Sequence, residues 1–127
     1  MTAPLTYEQL WWRAFWLTQA IEVPIYTLLL TLLPARPLWR RPDPAVPPLG
    51  LALRLLVAFA ASSLTHPWVW YVFPRFIDDY WPMVAVAETF AVVVEACWMH
   101  FAGLRYALLC SLLANGVSAT IGFLRHS

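Results

Sequence analysis

A chain of 127 residues that is 61% hydrophobic, 12% charged and has a mean hydropathy of +0.64 lacks the polar surface of a water-soluble domain and reads as an integral membrane protein. Its eight basic residues, all arginines, are nearly balanced by seven acidic ones, and a net charge of +1 offers no basic face for nucleic acid.

The N-terminal sequence has neither the basic region nor the small-residue cleavage site of a secretory signal, so the first apolar segment is expected to remain as an anchor. Apolar stretches of about 20 residues, the length that crosses bilayer hydrocarbon, predict four spans at residues 10–33, 49–73, 81–103 and 104–124 of one domain, residues 1–127. Without water the backbone must satisfy its own hydrogen bonds, and no strand-like alternation competes. The expected fold class is all-α, an integral membrane four-helix bundle with its N- and C-termini on the same side.

In the first span Glu22 is followed by Pro24, which deprives the Ala20 carbonyl of its helical donor and sets a free acceptor near a carboxyl group. Pro34, Pro37, Pro42, Pro44, Pro47 and Pro48 then predict an extended loop. The second span brings Ser62, Ser63, Thr65 and His66 up to Pro67. A residue before proline avoids helical angles, which predicts a kink at His66 and a freed Ser63 carbonyl. In the next connection Asp78 and Asp79 are candidate caps, with Pro82 in the first turn of the third helix.

Glu88 and Glu95 on the third span are seven apart, which returns to the same face within about 20° after a rise of roughly 10 Å. With Val92 between them they form an acidic stripe suited to a vertical ion or proton path. A tight reversal at Ala102 and Gly103 makes the third and fourth helices antiparallel neighbours. On the fourth, Ser111, Asn115, Ser118 and Gly122 form a small, polar stripe that permits close helix approach. Counting inward at about 1.5 Å per residue puts His66 and Glu88 at similar depth, Asn115 slightly deeper, Glu22 near the middle and Glu95 deepest.

An ionised side chain at the bilayer centre costs on the order of 2.5 to 3.5 kcal/mol on insertion scales. Glu22, His66, Glu88, Glu95, Asn115 and Ser118 are therefore expected to form one ion- or proton-binding constellation, supported by Pro24, Thr65 and Pro67. A metal, if one binds, would draw on Glu22, His66, Glu88 and Glu95, although the paired Glu-x-x-His elements of di-metal bundles are absent. No metal-hydrolase, serine-nucleophile, thiol-pair or phosphate-loop motif occurs, and nothing specifies a cofactor.

Three functions compete: a transporter, channel or transport component for a cation or proton; an accessory subunit of a larger membrane complex; and an intramembrane enzyme acting on a lipid or quinone with Glu and His as acid and base. Beside these stands a structural role in which protonated glutamates and His66 serve as hydrogen-bonded packing between helices. Four spans are few for a solute pathway, so the expected partners, besides the lipid bilayer, are further copies of the chain or another membrane subunit.

Arg36, Arg40, Arg41, Arg54 and Arg105 lie towards the loop side against Arg13, Arg75 and Arg125 on the terminal side, which favours both termini outside the cytoplasm. Trp11, Trp12, Trp16, Trp68, Trp70, Tyr71, Tyr80 and Trp81 gather on the terminal side as an interfacial belt. Arg13 and Arg54 are expected to snorkel or to pair with a buried glutamate, His100 and His126 to be interfacial, and Cys97 and Cys110 to be buried free thiols.

Taken in order, QAIEVPIYTLLLTLL, SSLTHPWVWYV, VAETFAVVVEACWM and ALLCSLLANGVSATIGFL resemble a widespread family of small, four-span bacterial membrane proteins. That family carries I-E-x-P, T-N-P, two glutamates seven apart, and A-N-x-x-S-x-x-x-G. The matching positions are Glu22, Pro24, Thr65, Pro67, Glu88, Glu95, Asn115, Ser118 and Gly122, with His66 standing where the family has asparagine. The resemblance implies this fold, a bacterial inner membrane and a shared site, and carries no activity with it.

Overall fold

A computed structural model describes residues 3–40 and 49–125, and over these the chain is helical without strands. Arg41, Pro42, Pro44, Pro47, Pro48 and His126, named above in the first loop and at the C-terminus, lie outside the described residues. Helix α1 (Tyr7–Leu32) begins earlier than its apolar stretch because Thr6 and Gln9 cap it reciprocally. The Gln9 amide donates to Thr6 Oγ1 at 3.1 Å, and the Thr6 amide donates to Gln9 Oε1 at 2.9 Å. Helix α2 spans Leu51–Phe76, α3 spans Tyr80–Ala102 and α4 spans Ala107–Arg125. All four are long and apolar enough to cross a membrane.

The kink expected at His66 is displaced. His66 stays helical and Pro67 takes ordinary helical angles, φ −62° and ψ −35°. The irregularity follows over Trp68–Val72, a π-helical turn in which the Phe73 amide reaches back five residues to the Trp68 carbonyl. Pro74 explains the position. It has no amide to offer the Trp70 carbonyl, and its ring would strike that carbonyl in a regular helix; the wider π turn makes room. The Tyr7 hydroxyl donates to the Trp70 carbonyl and so ties the start of α1 to the end of α2. Tyr7→Phe should therefore lower stability by about 1 kcal/mol, seen as a fall in melting temperature with helix content unchanged.

Each helix packs on its chain neighbours, and α4 closes back on α1. Contacts between Tyr7 and Trp70 and between Arg54 and Thr31 make α1 and α2 antiparallel. Trp98 Nε1 donating to the Val57 carbonyl at 3.0 Å, and Trp68 packing on Phe90, do the same for α2 and α3. The start of α1 and the end of α4 thus come to one end of the bundle. Asp79 occupies the N-cap of α3 in extended geometry, but its side chain makes no capping bond.

At the opposite end the chain after α1 pairs with the α3–α4 turn. The Ala35 amide donates to the Gly103 carbonyl at 2.6 Å, Arg105 to Leu33 at 3.0 Å and Leu38 to Phe101 at 2.9 Å. Gly103 makes this possible, with φ at +96° and the Ala35 backbone against it.

The apolar core fills this loop half, where Tyr26, Leu30, Val57, Met99, Leu104 and Cys110 close around small residues such as Ala58, Ala61, Ala102 and Ala114. Small side chains here let the helix backbones approach. Leucines such as Leu28, Leu56, Leu64, Leu109, Leu112 and Leu113 face outward, while Glu22, Ser62, Glu95, Ser111 and Asn115 are buried. An apolar exterior around a polar interior is compatible with an integral membrane protein. Both cysteines are free; Cys110 is buried as expected, whereas Cys97 is exposed on the outer face of α3.

Candidate functional site

Glu22 and Glu95 each lie fifteen residues past the first residue of their helix, Tyr7 and Tyr80. Because α1 and α3 start from the same end, the two sit at one level, about 22 Å along each helix. The depth order expected from the sequence, with Glu95 deeper than Glu22, fails because the Thr6 cap moves the start of α1 outward. Both side chains are 1% exposed.

Donors come from α1, α2 and α4. Ser62 Oγ from α2 donates to Glu22 Oε2, and Ser118 Oγ from α4 donates to Glu22 Oε1 at 2.7 Å. Glu95 receives three bonds: from the Tyr26 hydroxyl at 2.9 Å, Asn115 Nδ2 at 3.2 Å and Thr65 Oγ1 at 2.8 Å. The two carboxyl groups stand side by side, because their donors come from adjacent turns: Ser62 and Thr65 on α2, Ser118 and Asn115 on α4. Every donor named is a neutral hydroxyl or amide.

Tyr26 and Ser62 are the members that sequence reasoning did not assign to the site. Tyr26 follows Glu22 by four residues, the spacing that shares a helix face, so its signal was present within an apolar run. Gln19 was also missed; it is buried and donates from Nε2 to the Phe59 carbonyl and Ser63 Oγ, both at 3.2 Å, joining α1 to α2. Ser111 caps the network by donating to the Val92 carbonyl at 2.8 Å. The supporting prolines Pro24 and Pro67 are exposed, and the groups donating to the carboxyls are side chains.

His66 and Glu88 are not bonded into this cluster. They line a cavity of about 1080 Å³ that runs from Leu10 and Arg125 at the terminal end down to Glu22, Glu95, Asn115 and Ser118 at its floor. His66 is 7% exposed, and its ring lies 5.5 Å from those of Trp11 and Phe15 and 6.0 Å from Trp70. Its Nε2 is buried without a hydrogen-bond partner. Trp11 is therefore turned inward, while Trp12, Trp16, Trp68, Tyr80 and Trp81 are exposed.

Arg13 lines the cavity and Arg54 donates to Thr31 Oγ1; among the described residues neither pairs with a buried glutamate. His100 is exposed in the last turn of α3. Among the described residues no group of three His, Cys, Asp or Glu side chains converges on a metal position, so Glu22, His66, Glu88 and Glu95 do not form one ligand set. The chain matches no known protein-family model, and comparison with curated proteins and with solved structures returns no match.

Proposed function

We propose that the chain is a small transport component of a membrane that binds a proton or a small monovalent cation at the Glu22–Glu95 pair. One observation carries this reading: two carboxyl groups, from α1 and α3, lie side by side at the floor of a cavity and are bonded by neutral donors alone. A proton held between two acids can be exchanged for a cation of the same charge without moving any other group. The hydroxyl oxygens of Ser62, Thr65, Ser118 and Tyr26 can turn from donating to accepting and coordinate such an ion.

The membrane orientation proposed has both termini outside the cytoplasm. The pairing of residues 33–38 with the α3–α4 turn brings Arg36, Arg40 and Arg105 to one end, which supports it under the positive-inside rule. The resemblance to four-span bacterial proteins, and with it a bacterial inner membrane and assembly with further copies or another subunit, belongs to the same proposal. Its support is that Glu22, Thr65, Glu95, Asn115 and Ser118, drawn from all four motifs, meet in one network joined through Ser62 and the Asn115 carbonyl.

Melting of the purified protein in detergent, scanned over pH and over sodium, potassium and lithium, tests the pair. The wild type should melt at lower temperature as pH rises, since removing the shared proton sets two negative charges side by side, and a bound cation should restore stability at high pH. Glu95→Gln should flatten both responses. A wild-type melting temperature that ignores pH and all three cations would sink the reading.

A further inference from the structure

The part of the cavity above the Glu22–Glu95 floor is built for something larger than an ion. The whole cavity, mouth to floor, has a volume of about 1080 Å³, at the upper end of small-molecule pockets, roughly 300 to 1,000 Å³. A dehydrated ion instead needs several ligands converging on one point, and in this upper part Glu88 and His66 have no third His, Cys, Asp or Glu beside them among the described residues.

Two polar groups define the chemistry this space selects. Glu88, two turns or about 10 Å above Glu95, lines the cavity, and no described hydrogen-bond donor reaches it. His66 lines the same space and is 7% exposed, with Nε2 buried and unpartnered. A buried ring nitrogen left unbonded costs stability that a ligand group returns. Trp70, Tyr80 and Phe123 line the cavity beside them, and aromatic faces attract cations. Arg13 and Arg125 are exposed towards the mouth, and the carboxyl groups that attract a cation lie deeper.

We propose that this upper chamber is a binding site for an organic ammonium ion carrying an apolar body, its charged nitrogen on the Glu88 carboxylate, one N–H donated to His66 Nε2 and its apolar part against the aromatic rings. The site stands on residues separate from the carboxyl pair and does not depend on that pair binding an ion. The N–H donated to His66 makes a specific demand: a primary ammonium satisfies it, and a quaternary one does not.

Calorimetric titration of the full chain in lipid nanodiscs at one pH tests this, with empty nanodiscs as the partitioning background. The probes are phenethylamine, its N,N,N-trimethyl analogue and 3-phenylpropionate. Wild type should bind phenethylamine saturably and phenylpropionate not at all. Glu88→Gln should weaken both ammonium probes at least ten-fold. His66→Phe should weaken phenethylamine several-fold and leave the trimethyl analogue unchanged. The proposal is overturned by absence of saturable phenethylamine binding to wild type at millimolar concentration, by equal binding of the carboxylate probe, or by a Glu88→Gln protein with wild-type affinity. Calorimetry on wild type reads the chamber and its melting profile reads the carboxyl pair, so either idea can fail alone.

Discussion

Glu95→Ala should destabilise the bundle by about 2 to 4 kcal/mol, the largest loss expected from a change in its polar interior. The carboxyl group is the acceptor for three helices at once: Tyr26 on α1, Thr65 on α2 and Asn115 on α4. A single polar contact between membrane helices averages only about 0.6 kcal/mol, so lost bonds alone give the lower end of the range. The donors left behind raise it unevenly. Asn115 keeps the Ser111 carbonyl at 2.9 Å, and Thr65 keeps the Ser62 carbonyl at 3.3 Å. Tyr26, fully buried, loses the acceptor of its hydroxyl, and an unsatisfied buried hydroxyl costs about 1 to 3 kcal/mol.

Glu95→Gln retains an acceptor oxygen and the side-chain volume, and should cost less than half as much as the alanine change. Combining Glu95→Ala with Tyr26→Phe should cost less than the sum of the two, because the second change removes the stranded hydroxyl. Unfolding in detergent on heating or with added denaturing surfactant measures all four proteins. A Glu95→Ala protein within about 1 kcal/mol of wild type would show that the network does not organise the interior.

Most of this cluster was legible as residues and illegible as geometry. Glu22, Glu95, Thr65, Asn115 and Ser118 stand out because polar side chains in apolar spans are conspicuous. The separation of Glu88 and His66 from the pair was not readable from spacing. Seven residues on a helix keep Glu88 and Glu95 on one face, yet a face is a line of positions: the lower one meets Tyr26 of α1 and the upper one meets open space. Tyr26 escaped notice for a different reason. An aromatic hydroxyl in an apolar run looks like core, and it is core, with only its final atom turned to Glu95.

The fold was more accessible than the site, since length and hydropathy alone set four spans. What moved their ends were local effects that hydropathy does not register: the reciprocal Thr6–Gln9 cap at the start of α1 and the missing Pro74 amide near the end of α2. Pro67, the more conspicuous proline, bends nothing that the backbone angles record, because its neighbours accept helical geometry. The pairing of the first loop with the α3–α4 turn had no sequence signal apart from Gly103, which read as a simple reversal.

That glycine predicts a loss of about 3 kcal/mol for Gly103→Ala. At φ +96° a β-carbon is strained in any surroundings. Here the added atom would also lie 2.5 Å from the Ala35 carbonyl oxygen and 2.9 Å from the Pro37 nitrogen, both backbone atoms that no rotamer change can move. Relieving the contact means withdrawing residues 35–37 and breaking the bond from the Ala35 amide to the Gly103 carbonyl. Gly116→Ala is the matched control. A β-carbon there meets nothing within 4 Å, and alanine gains up to about 1 kcal/mol over glycine inside a helix. The two proteins differ by the same methyl group and should shift melting temperature in opposite directions. The clamp lies at the end of the bundle away from the cavity, so Gly103→Ala should keep a pH-dependent melting profile while its whole curve moves down. Loss of that pH dependence along with stability would mean that the loop end and the carboxyl pair form one cooperative unit, and equal melting of the two alanine variants would remove the clamp from the account of this fold.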